Sequence, residues 1–537
     1  MKAQKLIPLL VVAAGLLAYQ NSFTGAFVYD DLRSIHENPT IRHLWPVWRC
    51  LSPPHRHGIT VEGRPLINLS LAVNYALGGS TVWGYHVLNL SVHILTGLTL
   101  LGLVRRTLLQ PRLRARFGGA ASELALATAV LWTVHPLQTE SVTYVIQRAE
   151  SIMGLFYLLT LYCFIRGAES PLVARSTRDE PRTGLWYGLS IVACVLGMAS
   201  KEVMVSAPLM VMLYDRTFLS GSFREAWRRR WRLYLGLAAT WLLLGYLAIQ
   251  TFGNALTNAQ RLDLHRWPYL ATQPGVILYY LRLCVWPQPL CFDYFGWAVG
   301  RTWTSLLPPA LAMAVLLGAS AWAWKGNSAW GFLTAWLFLI LAPSSSVIPL
   351  DSPVYEHRMY LPLVAVVVAV VLGIHALAGR RSAAVFIVVA IGFAFLTWRR
   401  NCDYRSGLAL WQDTVAKRPN NPRAHCGVGA ALWQAGRAQE ATWHWEQALR
   451  LKPDYAEAHC SLGVMLGGAG RIQEAIKHLE QAVRIKPDFA EAHYNLGGAL
   501  EQAGQLEAAV TQYEETLRFN PDYTQARDRL AQMREVR

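Results

Sequence analysis

A chain of 537 residues with 53% hydrophobic and only 16% charged residues does not have the balance of a soluble globular protein; 21 Trp and 22 Tyr fit aromatic anchoring at membrane interfaces. The formal charge of +16 would point to nucleic acid in a soluble chain, but its arginines cluster in short loops between apolar runs, so nucleic acid is set aside. Eight scattered cysteines show no CxxC and no Cys/His spacing for a metal.

In chain order, Lys2 and Lys5 precede an apolar run from Leu6 to Tyr19, read as a first membrane span with its N-terminus in the cytoplasm. A large outer loop, residues 21–83, carries Phe27-Val28-Tyr29-Asp30-Asp31, His36 and Gly63-Arg64-Pro65-Leu66. Spans are then expected near Tyr85–Val104, Ser122–Val134, Ile152–Ile165 and Leu185–Ala199, with a sixth returning to Arg224 and a seventh at Leu233–Ile249. Arg105-Arg106, Arg175, Arg178, Arg182 and Arg228-Arg229-Arg230 fall in the inner loops, as the positive-inside rule requires. Gly275–Trp286 is short and bounded by prolines, which suits an interfacial or re-entrant helix on the outer side. Spans near Leu306–Trp324, Trp330–Ala342, Leu361–Leu377 and Ala383–Leu396 bring the expected total to about eleven.

After Asn401 the composition changes. Residues 422–455, 456–489 and 490–523 align at a period of 34, with Gly429, Gly463 and Gly497, then Ala441, Ala475 and Ala509, then Pro453, Pro487 and Pro521 in register. The small residues let two helices pack closely and each proline stops the second helix. Residues 406–417 read as half of a preceding unit and 524–536 as a capping helix. The expected class is all-α: a polytopic membrane region, 1–400, followed by a tetratricopeptide-repeat solenoid, 401–537.

Threading the chain this way gathers the unusual polar residues on the outer side: Asp30, Asp31, Arg64, Arg148, Glu150, Lys201, Glu202, Glu356, His357 and Arg358. Charges so near hydrocarbon are costly unless paired or used. Structural ion pairs between helix ends are the competing reading for Glu150, Lys201 and Glu202. The chain has no HExxH, P-loop, GxSxG or GxGxxG, which argues against a zinc protease, an ATP-driven pump and a common membrane hydrolase. A carboxylate base at a membrane surface with cations nearby suits transfer from a lipid-linked phosphosugar, the cations stabilising the phosphate leaving group.

The order Tyr-Asp-Asp, Gly-Arg-Pro-Leu, Trp83-Gly84-Tyr85-His86, Gln-Arg-Ala-Glu, Lys-Glu and Glu-His-Arg-Met-Tyr-Leu-Pro resembles the transmembrane and tetratricopeptide-repeat O-mannosyltransferases. These are GT-C-class glycosyltransferases that use polyprenyl-phosphate sugars. The resemblance implies Asp30 as the catalytic base with Asp31 as its alternative. It implies Arg64, Arg148 and Arg358, with Lys201 and His357, around the donor phosphate, and Glu150, Glu202 and Glu356 as supporting acids. It further implies a polyprenyl-phosphate mannose or similar donor, a protein Ser or Thr acceptor reached through the repeats, and inversion at the anomeric carbon. No cofactor is called for beyond a divalent metal that Asp31 is a candidate to hold. Only three full repeats and arginine-rich loops suggest a bacterial-type member, in an inner membrane with periplasmic repeats; a eukaryotic one would lie in the endoplasmic reticulum with luminal repeats. The competing readings are a membrane scaffold that recruits partners and a lipid-linked-sugar transporter. A transporter should place its ionisable residues at mid-bilayer.

Overall fold

The structure, a computed structural model, describes residues 2–53, 60–173, 183–252, 266–295, 297, 303–326, 329–345 and 352–535. Arg175, Arg178, Arg182 and Val536 lie outside the described residues. Among the described residues all regular structure is helical. Residues 1–290 and 298–406 form one compact unit, and 291–297 with 407–537 form a second.

In the first unit, every expected span is a helix, but fewer reach full length. Among the described residues, six helices are long and apolar enough to cross a membrane, or seven if the bent pair Pro111–Thr133 and Pro136–Thr143 is one span. Thr183–Met198 and Ala329–Leu341 are apolar but shorter, at 16 and 13 residues, where about 20 are needed. The expected sixth span is only Ala207–Tyr214, continued by a π-helix over Asp215–Ser220. The segment Gly275–Trp286 belongs to a longer helix, Arg266–Val285, which bridges Pro274.

The last apolar stretch, Leu363–Arg405, is a hairpin. Helix Leu363–Ala378 ends at Gly379, whose φ of 53° reverses the chain, and Ser382–Asn401 runs back. Both ends of the hairpin meet the short helix Thr139–Thr143: His357, just before the first arm, bonds Glu140, and Asn401 accepts from Thr143 at 2.7 Å. The loop 356–362 is pinned from below by indoles. Trp132 Nε1 donates to the Tyr360 carbonyl at 3.0 Å and Trp336 Nε1 to that of Leu361 at 2.9 Å. Gly154 lets the Tyr360 ring approach, since a Cβ there would sit 2.5 Å from it.

In the second unit, helix pairs Pro422–Gln434 with Ala438–Leu451, Ala456–Gly468 with Ile472–Ile485, and Ala490–Gln502 with Leu506–Phe519 stack in order, ending with Thr524–Glu535. The recurring glycines admit the large side chain of the facing helix. A Cβ at Gly429, Gly463 or Gly497 would stand 2.5, 2.5 or 2.7 Å from Trp445, Leu479 or Tyr513. The register prolines have a second use: His459 and His493 each donate Nε2–H to the carbonyl of Pro453 and Pro487, at 3.1 and 2.9 Å.

Candidate active site

Tyr29 has φ 47°, the sole positive value at a non-glycine residue among the described residues, in a region that costs an ordinary side chain about 1–2 kcal/mol. This turn sends the two adjacent carboxylates to different environments. Asp31 is fully buried: Oδ2 accepts the Val28 N–H at 3.0 Å and Oδ1 accepts the Ile146 N–H at 2.8 Å. Burial pushes its carboxyl up to about 8 against the pull of those two donors. Each oxygen thus accepts one backbone N–H, which makes Asp31 a structural anchor of the loop. Asp30 stays half-buried, and its backbone N–H donates to the Tyr144 hydroxyl at 2.9 Å.

Arg148 follows Ile146 by two residues and starts the helix Arg148–Val173. Its guanidinium is fully buried, donating to Asn74 Oδ1 at 2.6 Å and to the Tyr85 carbonyl at 3.2 Å, over the Tyr85 ring. It joins the loop helix Pro65–Gly78 to the span Val82–Leu108. So placed it positions helices, and its guanidinium does not face outward to a phosphate.

Two residues further, Glu150 Oε1 receives Lys201 Nζ at 2.6 Å, both side chains being buried. His357 completes the group. Its backbone N–H and Nδ1 meet the two oxygens of Glu140 at 2.9 and 2.8 Å, while its Nε2 lies 4.0 Å from Glu150. A carboxylate can only accept, so Nδ1 carries the hydrogen; Glu150, likewise an acceptor, makes no hydrogen bond with the Nε2 lone pair. Burial first, then the Lys201 ammonium, hold His357 well below its usual range, so the ring is neutral.

Arg358 is buried, with Nη1 donating to the Pro353 carbonyl at 3.0 Å and the guanidinium 4.8 Å over the Tyr355 ring. Its Nη2 makes no hydrogen bond among the described residues, although the Tyr269 and Tyr280 side chains are close enough to act on its charge. Arg64 and Glu202 pair at 3.4 Å in a more exposed position. Glu356 is buried near Tyr404.

Sequence reasoning passed over Glu140 and Tyr144. The available signal was a carboxylate five residues beyond His135, at the end of an apolar run. Residues 140–150 form the hub of the site: Glu140 holds His357, Thr143 holds Asn401, Tyr144 holds Asp30, Ile146 holds Asp31, Arg148 holds Asn74 and Glu150 holds Lys201. Among the described residues no three His, Cys, Asp or Glu side chains converge in a metal-binding group.

Fold and site together define an all-helical protein with several membrane-length apolar helices, a charged cluster at one end of the bundle, and tetratricopeptide repeats. Residues 399–456 and 490–523 match families described as tetratricopeptide repeat, and residues 469–504 match one described as TPR repeat. The chain is similar to several proteins named protein O-mannosyl-transferase. It is 28% identical to Tmtc2 of Drosophila melanogaster, over 51% of this chain and 29% of that protein. F38B6.6 of Caenorhabditis elegans is 24% identical over 81% of this chain and 61% of its own length. Tmtc3 of Drosophila melanogaster is 25% identical over 81% of this chain and 54% of its own length. The chain thus spans between 29% and 61% of the length of these curated relatives.

Proposed function

We propose that this chain is an integral-membrane inverting glycosyltransferase that moves a sugar, mannose in the first instance, from a polyprenyl-phosphate donor to a protein Ser or Thr hydroxyl. The observation that carries this reading is the 140–150 hub, which ties the half-buried Asp30, the Lys201 cation and the neutral His357, with Arg358 the next residue in the chain, into one framework. The names of the relatives support a sugar transfer to protein.

In the proposed step, Asp30 takes the proton of the acceptor hydroxyl as its oxygen bonds to the anomeric carbon. The bond from that carbon to the phosphate oxygen breaks, and the electron pair leaves with polyprenyl phosphate. Arg358, with an Nη2 that has hydrogen-bonding capacity left, and Lys201 stabilise the charge that develops there. Arg64 serves the donor at the more exposed rim, and Arg148 acts by holding helices. Residues 1–400 form the catalytic region, and the repeats in 401–537 select the acceptor protein. Charge asymmetry of the loops supports a site on the outer side of the membrane, periplasmic in a bacterium and luminal in a eukaryote.

Purified protein incubated with radiolabelled polyprenyl-phosphate mannose and an acceptor-protein extract should label protein, and Asp30→Asn should abolish that labelling. Undiminished labelling by Asp30→Asn and by an Asp30→Asn/Asp31→Asn double variant would remove the base from this loop.

A further inference from the structure

An apolar groove of the first unit runs from beneath the 356–362 loop to the exposed arginines at the end of the span Val82–Leu108. The groove is narrow and open-sided, walled by Thr107, Leu108, Leu113, Tyr214, Phe218 and Phe332 among others, and no polar surface is exposed inside it. It opens between the span Val82–Leu108 and helices Ala207–Tyr214, Ala329–Leu341 and Leu363–Ala378. The short helix Pro111–Phe117 supplies both characters: Leu113 enters the groove wall while Arg114 and Arg116 are exposed beside it, next to exposed Arg105.

Across the groove mouth, Arg216 lies two residues before Phe218, stacked 5.0 Å from both the Phe223 and Trp324 rings, with its Nη1 buried and making no hydrogen bond among the described residues. The following helix, Phe223–Phe252, breaks its helical geometry at Arg230, where φ is −136° and ψ 25°. Arg230 is held there by Asp215 at 2.7 Å. Trp227 before the break and Trp231 just after it are each about half exposed. Exposed tryptophans beside arginines are what a headgroup layer accommodates, with ring bodies in the interface and cations at the phosphates. Of the acidic groups at this end, Glu225 pairs with Arg228 and Arg229, Glu169 with Arg106 and Asp215 with Arg230, while exposed Glu123 is outnumbered by Arg105, Arg114 and Arg116. The field left over is positive.

We propose that this end of the bundle binds an anionic glycerophospholipid, with an acyl chain in the groove and the headgroup phosphate among Arg105, Arg114, Arg116 and Arg216. A groove of carbon alone would take any lipid chain. The arginines crowding its rim make the preference electrostatic. The inference does not depend on the glycosyltransferase reading, since the arginines it uses are not residues of the candidate active site.

The test is native mass spectrometry of the full-length protein released from micelles containing phosphatidylglycerol or phosphatidylcholine with identical chains. Phosphatidylglycerol should be retained roughly tenfold or more over phosphatidylcholine. The triple variant Arg105→Gln/Arg114→Gln/Arg116→Gln should lose that preference, and the corresponding triple Lys variant should keep it. Equal retention of the two lipids by the wild-type protein overturns the proposal, and so does an undiminished preference in the Gln variant. Binding of glycerophosphoglycerol, the headgroup without chains, as tightly as the lipid would also overturn it by making the groove irrelevant. Should the Gln variant not fold, the wild-type comparison and the headgroup arm decide.

Discussion

The carboxylate of Asp31 accepts the backbone N–H of Ile146 at 2.8 Å across 115 residues of chain, and its other oxygen accepts Val28 N–H. That link fastens the loop after the first helix to the segment that carries Glu140, Tyr144, Arg148 and Glu150. Its neighbour Asp30, turned another way by the left-handed Tyr29, is tied to the same segment through its backbone N–H to Tyr144. Two adjacent and chemically identical side chains therefore sit in different environments.

Asp31→Asn should lose stability, because the amide nitrogen must face one of two buried N–H donors. The expected cost is about 1–3 kcal/mol in denaturant melts, with transfer falling only as folded protein is lost. Asp30→Asn should melt like the wild type, yet its transfer rate should fall by roughly two to four orders of magnitude. Exchanged phenotypes would exchange the two roles.

Asp31 also sets a pH dependence. Its folded carboxyl titrates near 8 against 3.8 for the ordinary group, so the folded state keeps a proton that the unfolded chain releases. The stabilisation is fully present below about pH 4 and disappears as pH rises through about 8. Melts from pH 5 to 9 should show wild-type stability declining, with a shallower decline in Asp31→Asn. Parallel slopes for the two proteins would mean that Asp31 is ionised throughout.

Lys201 and Glu150 form a buried pair at 2.6 Å, and removing one partner strands the other. Lys201→Met alone should destabilise by about 3–5 kcal/mol, and the Lys201→Met/Glu150→Leu double variant should recover most of that. If the recovered double variant still transfers sugar at the wild-type rate, the pair is purely structural. Loss of transfer in a stable double variant assigns Lys201 to the donor.

Glu140→Gln tests the histidine tautomer. A Gln presents one acceptor and one donor where His357 offers two donors, so the ring must flip its proton to Nε2 or lose a bond. Loss of one charge-assisted bond, about 1.5–3 kcal/mol, corresponds to roughly 10- to 150-fold in rate. The ring's ¹⁵N chemical shifts, which distinguish the tautomers, should change in the same variant. Unchanged shifts would mean that Glu140 does not select the tautomer.

In the repeats, Gly497→Val should be expensive because its Cβ would lie 2.7 Å from the Tyr513 ring. Overpacking of this kind costs about 1–3 kcal/mol. A methyl added at Gly498 would meet only the Tyr513 hydroxyl, at 3.8 Å, so Gly498→Ala should change little. Thermal melts of both variants in the full-length chain check the contrast.

Helices and repeats were legible in the sequence because both are written locally. Apolar runs mark the bundle helices whatever surrounds them, and a period of 34 with glycine, alanine and proline in register marks a stacked helix pair. Residue types near the site were legible for the same reason: Asp30, Glu150, Lys201 and His357 are costly groups beside apolar runs. Tertiary structure alone decided which of them face one another. The pairing of Glu140 with His357 closes 217 residues of chain, and that of Asp31 with Ile146 closes 115. Whether a carboxylate meets water, a cation or a backbone N–H depends on such distant partners. Arg148 shows the same limit, since nothing in Gln147-Arg148-Ala149 announces that Asn74 and Tyr85 will enclose its guanidinium. Helix length escaped the sequence for a related reason: helices as short as Ala207–Tyr214 persist because neighbouring helices, rather than their own apolar span, satisfy their surroundings.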